Sequence, residues 1–121
     1  MSLPILGQLF GHSNHHLQEV TLHTFKKEVL DSDIPILVDF WGEGCGPCQM
    51  LTPLLAKFAS HHPEIKVVKV NIGNEPELAS YFKVSAIPTL IAFKNKRVVA
   101  QTVGLVNEGH LLKFLEVMRA S

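Results

Sequence analysis

Apolar residues along this chain follow two patterns, one typical of buried strands and the other of amphipathic helices. Residues 35–41 are almost continuously apolar and rich in β-branched and aromatic side chains, which predicts a strand buried on both faces of a parallel sheet. Residues 65–72 predict another buried strand, and residues 18–22 predict a short first strand. Residues 89–93 and 98–103 are also strand-like, and the polar residues that separate them suit an antiparallel hairpin.

The first and last predicted helices each begin at a capping residue. Either Thr21 or Thr24 can cap the first helix, which has Phe25, Val29 and Leu30 on its inner face. Asn107 can cap the last helix. The apolar face of this last helix is predicted to carry Leu111, Leu112, Leu115 and Met118.

Two further helices are predicted between these. The second helix runs to about His61 and contains Pro53, which removes one backbone hydrogen bond and should kink the helix. The third helix covers residues 75–82, and Asn74 with Glu77 resembles a capping box at its start. The inner face of the second helix is predicted to carry Met50, Leu51, Leu54, Leu55 and Phe58.

The order of these elements predicts an α/β fold. Strands and helices alternate in the first half of the chain, which predicts right-handed crossovers and parallel pairing. The hairpin in the second half adds antiparallel strands. We therefore expect a mixed sheet with helices on both faces.

Length and composition are those of one compact domain. The chain has 121 residues, of which 46% are hydrophobic, and this is enough to bury a core. We expect residues 18–121 to form the domain, and residues 1–17, which show no clear periodicity, to form an N-terminal arm. His12, His15 and His16 in this arm raise the hypothesis of a metal site. Exposed histidines without a carboxylate or cysteine nearby are more often solvated, so we predict no metal.

Charge and hydropathy argue against two classes of partner. Eleven basic and eleven acidic residues give a net charge of zero, and no basic cluster follows a predicted face, so binding to nucleic acid has no electrostatic support. No run approaches the roughly twenty apolar residues that cross a bilayer, and residues 1–11 lack a basic region of the signal-peptide type. We expect a cytoplasmic monomer that does not bind membranes.

The candidate chemistry lies in Cys45-Gly46-Pro47-Cys48, between the strand at 35–41 and the second helix. A helix N-terminus has unpaired N–H groups and the positive end of the helix dipole, so it favours a thiolate on Cys45. Cys48 lies one helical turn further on, within reach of a disulfide. Pro47 suits the first helical turn, and Gly46 allows another chain to approach closely. A zinc site is the rival interpretation, but zinc takes four ligands and only two cysteines are present.

Together with other motifs, this segment resembles the thioredoxin family over roughly residues 18 to 119. The resemblance implies the thioredoxin fold, with a five-stranded mixed sheet in the order 1-3-2-4-5 flanked by four helices. The motifs that carry it are Val38-Asp39-Phe40-Trp41, Cys45-Gly46-Pro47-Cys48, Pro53, Lys69-Val70-Asn71-Ile72, Ile87-Pro88-Thr89 and Val103-Gly104.

The resemblance also implies an activity, that of a general protein disulfide reductase. Cys45 would attack a substrate disulfide, and Cys48 would then attack Cys45 and release the reduced substrate. Members of the family bind no cofactor, and they receive electrons from NADPH through a flavin enzyme, thioredoxin reductase. The implied partners are therefore this reductase and proteins that contain disulfides.

Two charged residues interrupt the predicted central strands. Asp39 lies in the strand at 35–41 and Lys69 lies in the strand at 65–72, so the two could meet beneath the cysteine helix. A buried carboxylate is costly unless it is paired or functional. In thioredoxins the matching aspartate is thought to accept the proton of the second cysteine through water. A structural ion pair is the alternative.

The resemblance also implies a substrate site, to which four residues would belong: Trp41, Ile87, Pro88 and Gly104. Most X–Pro bonds are trans, but the resemblance implies a cis bond between Ile87 and Pro88, close to the sulfurs. The backbone before this proline would then pair with an extended substrate. Trp41 either belongs to the core or forms a wall of the active site. Gly104 resembles the glycine at which partners approach closely, although a turn role is equally plausible.

One departure from the family pattern concerns Gly44, which lies where the family usually has a tryptophan, directly before the first cysteine. Loss of this ring removes an apolar docking surface. We therefore expect substrate range, reductase recognition or redox poise to differ from those of a typical member. The exchange chemistry should remain, because the sulfurs, the proline and the aspartate are present.

Two other functions remain open on the sequence alone. A dedicated disulfide oxidase or isomerase would normally need an oxidising compartment, and no export signal is evident. A binding module, such as a folding helper or an accessory subunit, would carry its cysteines incidentally. Insulin reduction by dithiothreitol, compared between the wild type, Cys45→Ser and Cys48→Ser, is the test, and activity that survives both substitutions would rule out the redox assignment.

Overall fold

The computed structural model describes residues 17–121, and its sheet has five strands in the order β1-β3-β2-β4-β5, as predicted. The predicted arm and its three histidines fall, except for Leu17, outside the described residues. The strands are β1 (Gln18–Glu19), β2 (Ile36–Trp41), β3 (Lys66–Asn71), β4 (Thr89–Lys94) and β5 (Arg97–Val103). The helices are α1 (Leu22–Phe25), which continues as a π-helical turn over Lys26–Leu30, α2 (Gly46–His61), α3 (Pro76–Tyr81) and α4 (Glu108–Ala120).

Strand β2 is the centre of the sheet. It pairs in parallel with β3 on one side and antiparallel with β4 on the other, while β1 pairs in parallel with β3. The turn between β4 and β5 consists of Asn95 and Lys96, both with positive φ, which is the conformation that suits a two-residue hairpin. The predicted mixed sheet is therefore confirmed.

Two apolar clusters cover the two faces of the sheet. One lies under α2 and α4, and the other lies under α1 and α3, because alternate residues of each strand point to opposite faces. The first cluster includes Leu37, Leu51, Leu55, Val67, Leu90, Leu111 and Leu115. The second includes Phe25, Val38, Phe40, Val68, Val70, Leu78 and Phe93. Burial on both faces accounts for the continuous apolar run of β2.

The first strand is shorter than predicted, because α1 begins within the predicted range. The Thr21 hydroxyl accepts a hydrogen bond from the backbone N–H of Thr24 (3.3 Å), and the Thr24 hydroxyl accepts one from the N–H of Thr21 (3.0 Å). This capping box starts the helix at Leu22, so only Gln18–Glu19 remains as strand. Thr21 is the cap, one of the two predicted candidates.

The predicted capping box of α3 is wrong. Pro76 occupies the first helical position, which moves the N-cap to Glu75, and no side chain among residues 17–121 caps this helix. The Glu75 carboxylate instead accepts a hydrogen bond from the backbone N–H of Leu22 (2.9 Å). Asn74 donates its backbone N–H to the side chain of Asn71. The turn after β3 is therefore stabilised by Asn71, outside the helix.

One residue predicted for the buried face of each of the helices α2 and α4 is exposed instead. Met50 is exposed, and Leu112 is 45% exposed. Each lies one residue from a fully buried leucine, and a step of one residue turns a helix by about 100°. The sheet covers only one stripe of each helix, so these neighbours face outward. On α4 the buried residues are Leu111, Phe114, Leu115 and Met118.

Candidate active site

Cys45 and Cys48 are joined in a disulfide at the N-terminus of α2. Cys45 follows the loop after β2 and is the N-cap of the helix, while Cys48 lies in its first turn. Their Cα atoms are 5.3 Å apart, within the range that a disulfide spans. The prediction that one helical turn brings the two sulfurs within bonding reach is confirmed.

The two sulfurs differ in exposure and in hydrogen bonding. Cys48 is only 2% exposed, whereas Cys45 is partly exposed. The Cys45 sulfur accepts a hydrogen bond from the backbone N–H of Cys48 (3.2 Å). An unpaired N–H group and the positive end of a helix dipole both stabilise a negative charge at this position. In the reduced protein, a thiolate is therefore favoured on Cys45, the more exposed of the two sulfurs.

Gly46 and Pro47 form the exposed surface between the two cysteines. Pro47 lies in the first turn of α2, where a helix does not use the backbone N–H that proline lacks. A Cβ at Gly46 would meet no atom of residues 17–121 within 4 Å. The backbone of this turn is therefore open to a partner chain from outside.

Gly44 lies in the turn that delivers the chain to Cys45. Its φ is +70°, in the left-handed region that favours glycine, and a Cβ there would meet no atom of the described residues within 4 Å. A side chain would have room but would strain the backbone. The space beside Gly44 is therefore open in the part of the chain that the structure describes.

The chain before β4 lies against the loop that leads to the cysteines. The register that pairs Phe40 with Thr89 brings the preceding Ile87-Pro88 segment beside the end of β2, and the Ile87–Pro88 peptide bond is cis. A Cβ on Gly42 would come within 2.8 Å of the Ile87 Cδ1 atom. Sequence reasoning missed Gly42, whose missing side chain permits this contact.

Gly104 is joined to the same segment by its backbone. Its N–H donates a hydrogen bond to the carbonyl oxygen of Pro88 (2.7 Å), and its φ of +100° favours glycine. Among the described residues, no atom lies within 4 Å of where a Cβ would stand. The close approach of partners at Gly104 stays a prediction.

Asp39 lies in β2, on the sheet face that α2 covers, and it is fully buried. Neither of its carboxylate oxygens has a hydrogen-bond partner among residues 17–121. Burial disfavours the charged form and raises the pKa of Asp39 to about 7, against a smaller opposing effect of the Lys69 charge. Asp39 can therefore gain or lose a proton near neutral pH.

Lys69 lies directly opposite Asp39 in the pairing of β2 with β3, but its ammonium group has other partners. It lies 3.4 Å from a carboxylate oxygen of Glu19 and 4.5 Å from the centre of the Trp41 ring. Trp41 in turn donates its indole N–H to the other oxygen of Glu19 (3.4 Å). Sequence reasoning missed Glu19, because a two-residue strand carries no signal of what it pairs with.

A second missed contact joins the cysteine loop to β3. The side-chain amide of Asn71 donates a hydrogen bond to Glu43 (3.4 Å), two residues before Cys45. The Asn71 side-chain oxygen accepts the backbone N–H of Gly73 (2.9 Å). Asn71 is buried, so it anchors this exposed loop to the end of a central strand.

Residues 17–121 contain neither a candidate metal site nor a candidate membrane-spanning helix. Histidine, cysteine and acidic side chains nowhere gather there in a group of three or more that could hold a metal ion. In that same part of the chain, every helix is too short or too polar to span a bilayer.

Comparison with known proteins gives a single answer along most of the chain. The family model described as Thioredoxin matches residues 16–117. Thioredoxin 1 of Nostoc sp. is 48% identical over 99 residues, which cover 81% of this chain and 92% of that protein. Thioredoxin 1 of Synechococcus elongatus is 45% identical over 98 residues, and thioredoxin of Rickettsia felis is 43% identical over 97 residues. These matches cover 80% and 79% of this chain, respectively, and 92% of each relative.

Proposed function

Because this chain belongs to the thioredoxin family and is a thiol–disulfide oxidoreductase of the protein-disulfide-reductase class, we propose that it carries electrons from an NADPH-dependent flavin reductase to many protein disulfides. The observation that carries the proposal is the unequal exposure of the two bonded sulfurs. The Cys45 sulfur is partly exposed and accepts a hydrogen bond from a backbone N–H at the N-terminus of α2, whereas Cys48 is buried. This arrangement suits a nucleophile followed by a resolving thiol.

The cycle has two exchange steps. The Cys45 thiolate attacks one sulfur of a substrate disulfide, the substrate S–S bond breaks, and a mixed disulfide forms while the other substrate sulfur leaves as a thiolate. Cys48 then loses its proton and attacks the Cys45 sulfur, so that the mixed disulfide breaks and the second substrate sulfur leaves. The substrate gains two electrons, and the chain is left with the Cys45–Cys48 disulfide.

In this cycle Asp39 accepts the proton of Cys48. A buried thiol holds its proton more firmly than an exposed one, so it needs a base on the inner side of the helix. Asp39 lies on the sheet face beneath α2, and a pKa of about 7 suits a group that takes up and returns a proton at neutral pH. The positive charge of Lys69, on the neighbouring strand, would lower the pKa of Asp39.

A substrate would dock as an extended segment on the exposed rim around Cys45. Gly46 and Gly104 leave their backbones open, and Ile87 offers a partly exposed apolar side chain before Pro88. Trp41 is partly exposed at the end of β2. Such a rim binds main chain with few demands on side chains, which suits a reductase of broad substrate range.

The proposal includes a monomeric state, the absence of a bound cofactor and a reducing cellular compartment. One chain carries both sulfurs, Asp39 and the docking rim, so a monomer suffices for the cycle. The cycle needs no bound cofactor, since electrons are stored in the two thiols. A cycle that keeps its thiols reduced belongs in a reducing compartment such as the cytoplasm.

Reduction of insulin disulfides, coupled to NADPH oxidation by a bacterial thioredoxin reductase, tests the electron source. We expect many turnovers per chain and a rate that saturates with reductase, because the exposed Cys45 side of the disulfide is open to attack. The same reaction driven by dithiothreitol serves as a control that does not depend on the reductase. Activity with dithiothreitol but none with reductases from several bacteria would leave the exchange activity in place and remove the NADPH route.

Replacement of Gly44 by tryptophan tests the departure from the family pattern. We expect kcat/KM with the reductase to rise severalfold, because the new ring would supply an apolar wall beside Cys45 where the space is open. The positive φ should lower the free energy of unfolding by about 1 kcal/mol. Gly44→Ala is the matched control, since it has the same backbone strain without the ring. Equal kcat/KM for the two variants would show that this position does not limit recognition.

A further inference from the structure

Three charged side chains form a row across the sheet. The pairing of β1 with β3 places Glu19 opposite Lys69, and the pairing of β3 with β2 places Lys69 opposite Asp39. Residues paired in this way lie on the same face, and neighbouring strands are about 4.8 Å apart. The Lys69 ammonium therefore has one carboxylate on each side.

The ammonium group is bound on one side only. It lies 3.4 Å from Glu19 and rests on the Trp41 ring, while neither oxygen of Asp39 accepts a hydrogen bond from any described residue. A cation at 4.5 Å from a ring centre is within the range of a cation–π contact. The indole N–H of Trp41 binds the same Glu19 carboxylate, so the three groups form a closed triangle.

We propose that Glu19 is a positioning residue that holds the Lys69 ammonium against Trp41 and so withholds its charge from Asp39. The proposal rests on the proposed role of Asp39 as the proton acceptor. Glu19 does not touch the sulfurs or the substrate, and it acts through Lys69. Its backbone is fixed for this role, because the N–H of the next residue, Val20, donates a hydrogen bond to the Lys69 carbonyl oxygen (2.8 Å).

The charges around Asp39 define the expected direction of the effect. In residues 17–121, Lys69 and Glu19 are the charged groups that act on Asp39, the first lowering its pKa and the second raising it. The residue opposite Asp39 on β4 is Leu90, and the two cysteines of α2 do not titrate while they are joined. Without the Glu19 charge, its repulsion disappears and Lys69 is freed to approach Asp39. Both changes favour the ionised form of Asp39.

The test is the substitution Glu19→Gln in the oxidised full chain, with the Asp39 carboxyl carbon followed by NMR titration. We expect the pKa of Asp39 to fall by about half a pH unit, a modest shift because Glu19 is 46% exposed and its charge is partly screened. The shift should shrink in high salt. Glu19→Asp retains the charge and should restore most of the wild-type value. An unchanged pKa in Glu19→Gln would overturn the proposal.

Two control variants separate positioning from a general charge effect. Glu43 lines the same cavity of about 300 Å³ as Glu19 and Trp41, but it binds Asn71 rather than Lys69. Glu43→Gln should therefore leave the Asp39 titration in place. In a Lys69→Gln background, Glu19→Gln should have less than half of its effect, because the group through which it acts is gone. An effect of full size in that background would contradict a role through Lys69.

Kinetics distinguish this proposal from the proposed role of Asp39. If both hold, the pH at which mixed-disulfide resolution accelerates should move downward in Glu19→Gln by the same amount as the titration. If the pKa of Asp39 falls but the pH dependence of the resolution rate is unchanged, the role of Glu19 is supported and Asp39 is not the proton acceptor. An unchanged pKa of Asp39 in Glu19→Gln would refute the positioning role of Glu19. The role of Asp39 as proton acceptor is tested separately, by Asp39→Asn.

Discussion

Replacement of Cys45 by serine should abolish disulfide reduction, with a loss of more than about a thousandfold in turnover of insulin by dithiothreitol or by a reductase. A serine hydroxyl at a helix N-terminus stays protonated at neutral pH and cannot form the mixed disulfide. The remaining thiol, Cys48, cannot replace it, because it is only 2% exposed. Stopped reaction mixtures analysed by mass spectrometry should contain no covalent adduct.

Replacement of Cys48 by serine should stop turnover to the same extent but by a different route. Cys45 retains its place at the helix N-cap and can still attack a substrate disulfide. The mixed disulfide then persists, because the thiol that resolves it is missing. We expect one covalently bound substrate per chain, released by added dithiothreitol.

Gln49→Ser is the matched control for both variants. It introduces the same side chain at the exposed position next to Cys48 and leaves the two sulfurs intact, so turnover should be close to that of the wild type. Turnover that survives both cysteine substitutions would refute the assignment of the chemistry to this pair. Loss in the Gln49 variant as well would point to damage at the helix terminus rather than to loss of a nucleophile.

Replacement of Asp39 by asparagine should stabilise the protein at neutral and alkaline pH. The pKa of Asp39 is raised from 3.8 to about 7 by burial, so the folded chain keeps a proton that the unfolded chain has already lost. Stability of the wild type therefore falls as pH rises from about 4 to about 7, and the penalty above that range is on the order of 4 kcal/mol. Asparagine, like protonated Asp39, is a neutral buried polar group that avoids this penalty, so the net gain above that range should be on the order of 4 kcal/mol.

Urea denaturation of the oxidised chains across this pH range measures the effect. The difference between Asp39→Asn and the wild type should be close to zero at about pH 4, should grow through the window, and should reach its full value near pH 8. Asp33→Asn, which removes an exposed carboxylate in the loop before β2, serves as the control and should show no such growth. A difference that is constant with pH would mean that Asp39 is ionised throughout, for which a partner would be needed.

The same substitution should slow the resolution step. We expect mixed disulfides to disappear roughly tenfold or more slowly in Asp39→Asn above about pH 7, where the wild-type carboxylate is ionised, and the gap should narrow at lower pH. A variant that is more stable and yet slower would identify Asp39 as a residue that the fold tolerates for its chemistry. Equal rates at every pH would assign it no part in the proton transfer.

Three features could be predicted from the amino-acid sequence alone: the order of elements, the mixed sheet and the place of the cysteines at the start of a helix. These features depend on local patterns, because strand and helix periodicity, capping residues and a two-residue spacing between cysteines are all readable along the chain. The buried carboxylate was recognisable for the same reason, since Asp39 interrupts a continuous apolar run. Local patterns were less reliable at element ends, where Pro76 moved the cap of α3 and Thr21 shortened β1.

The pairing of the charged groups could not be predicted in this way, because it depends on the assembled sheet. The sequence placed Asp39 and Lys69 in neighbouring strands, but the ammonium binds Glu19 and Trp41, and Asp39 has no hydrogen-bond partner among the described residues. The close approach of Gly42 to Ile87 and the anchoring of Glu43 by Asn71 likewise join distant parts of the chain. Such contacts depend on the register between strands and on which of several partners within reach a long side chain binds. The strand register and the partner of a side chain do not affect the local pattern of apolar and polar residues. They can therefore be determined only from the assembled sheet.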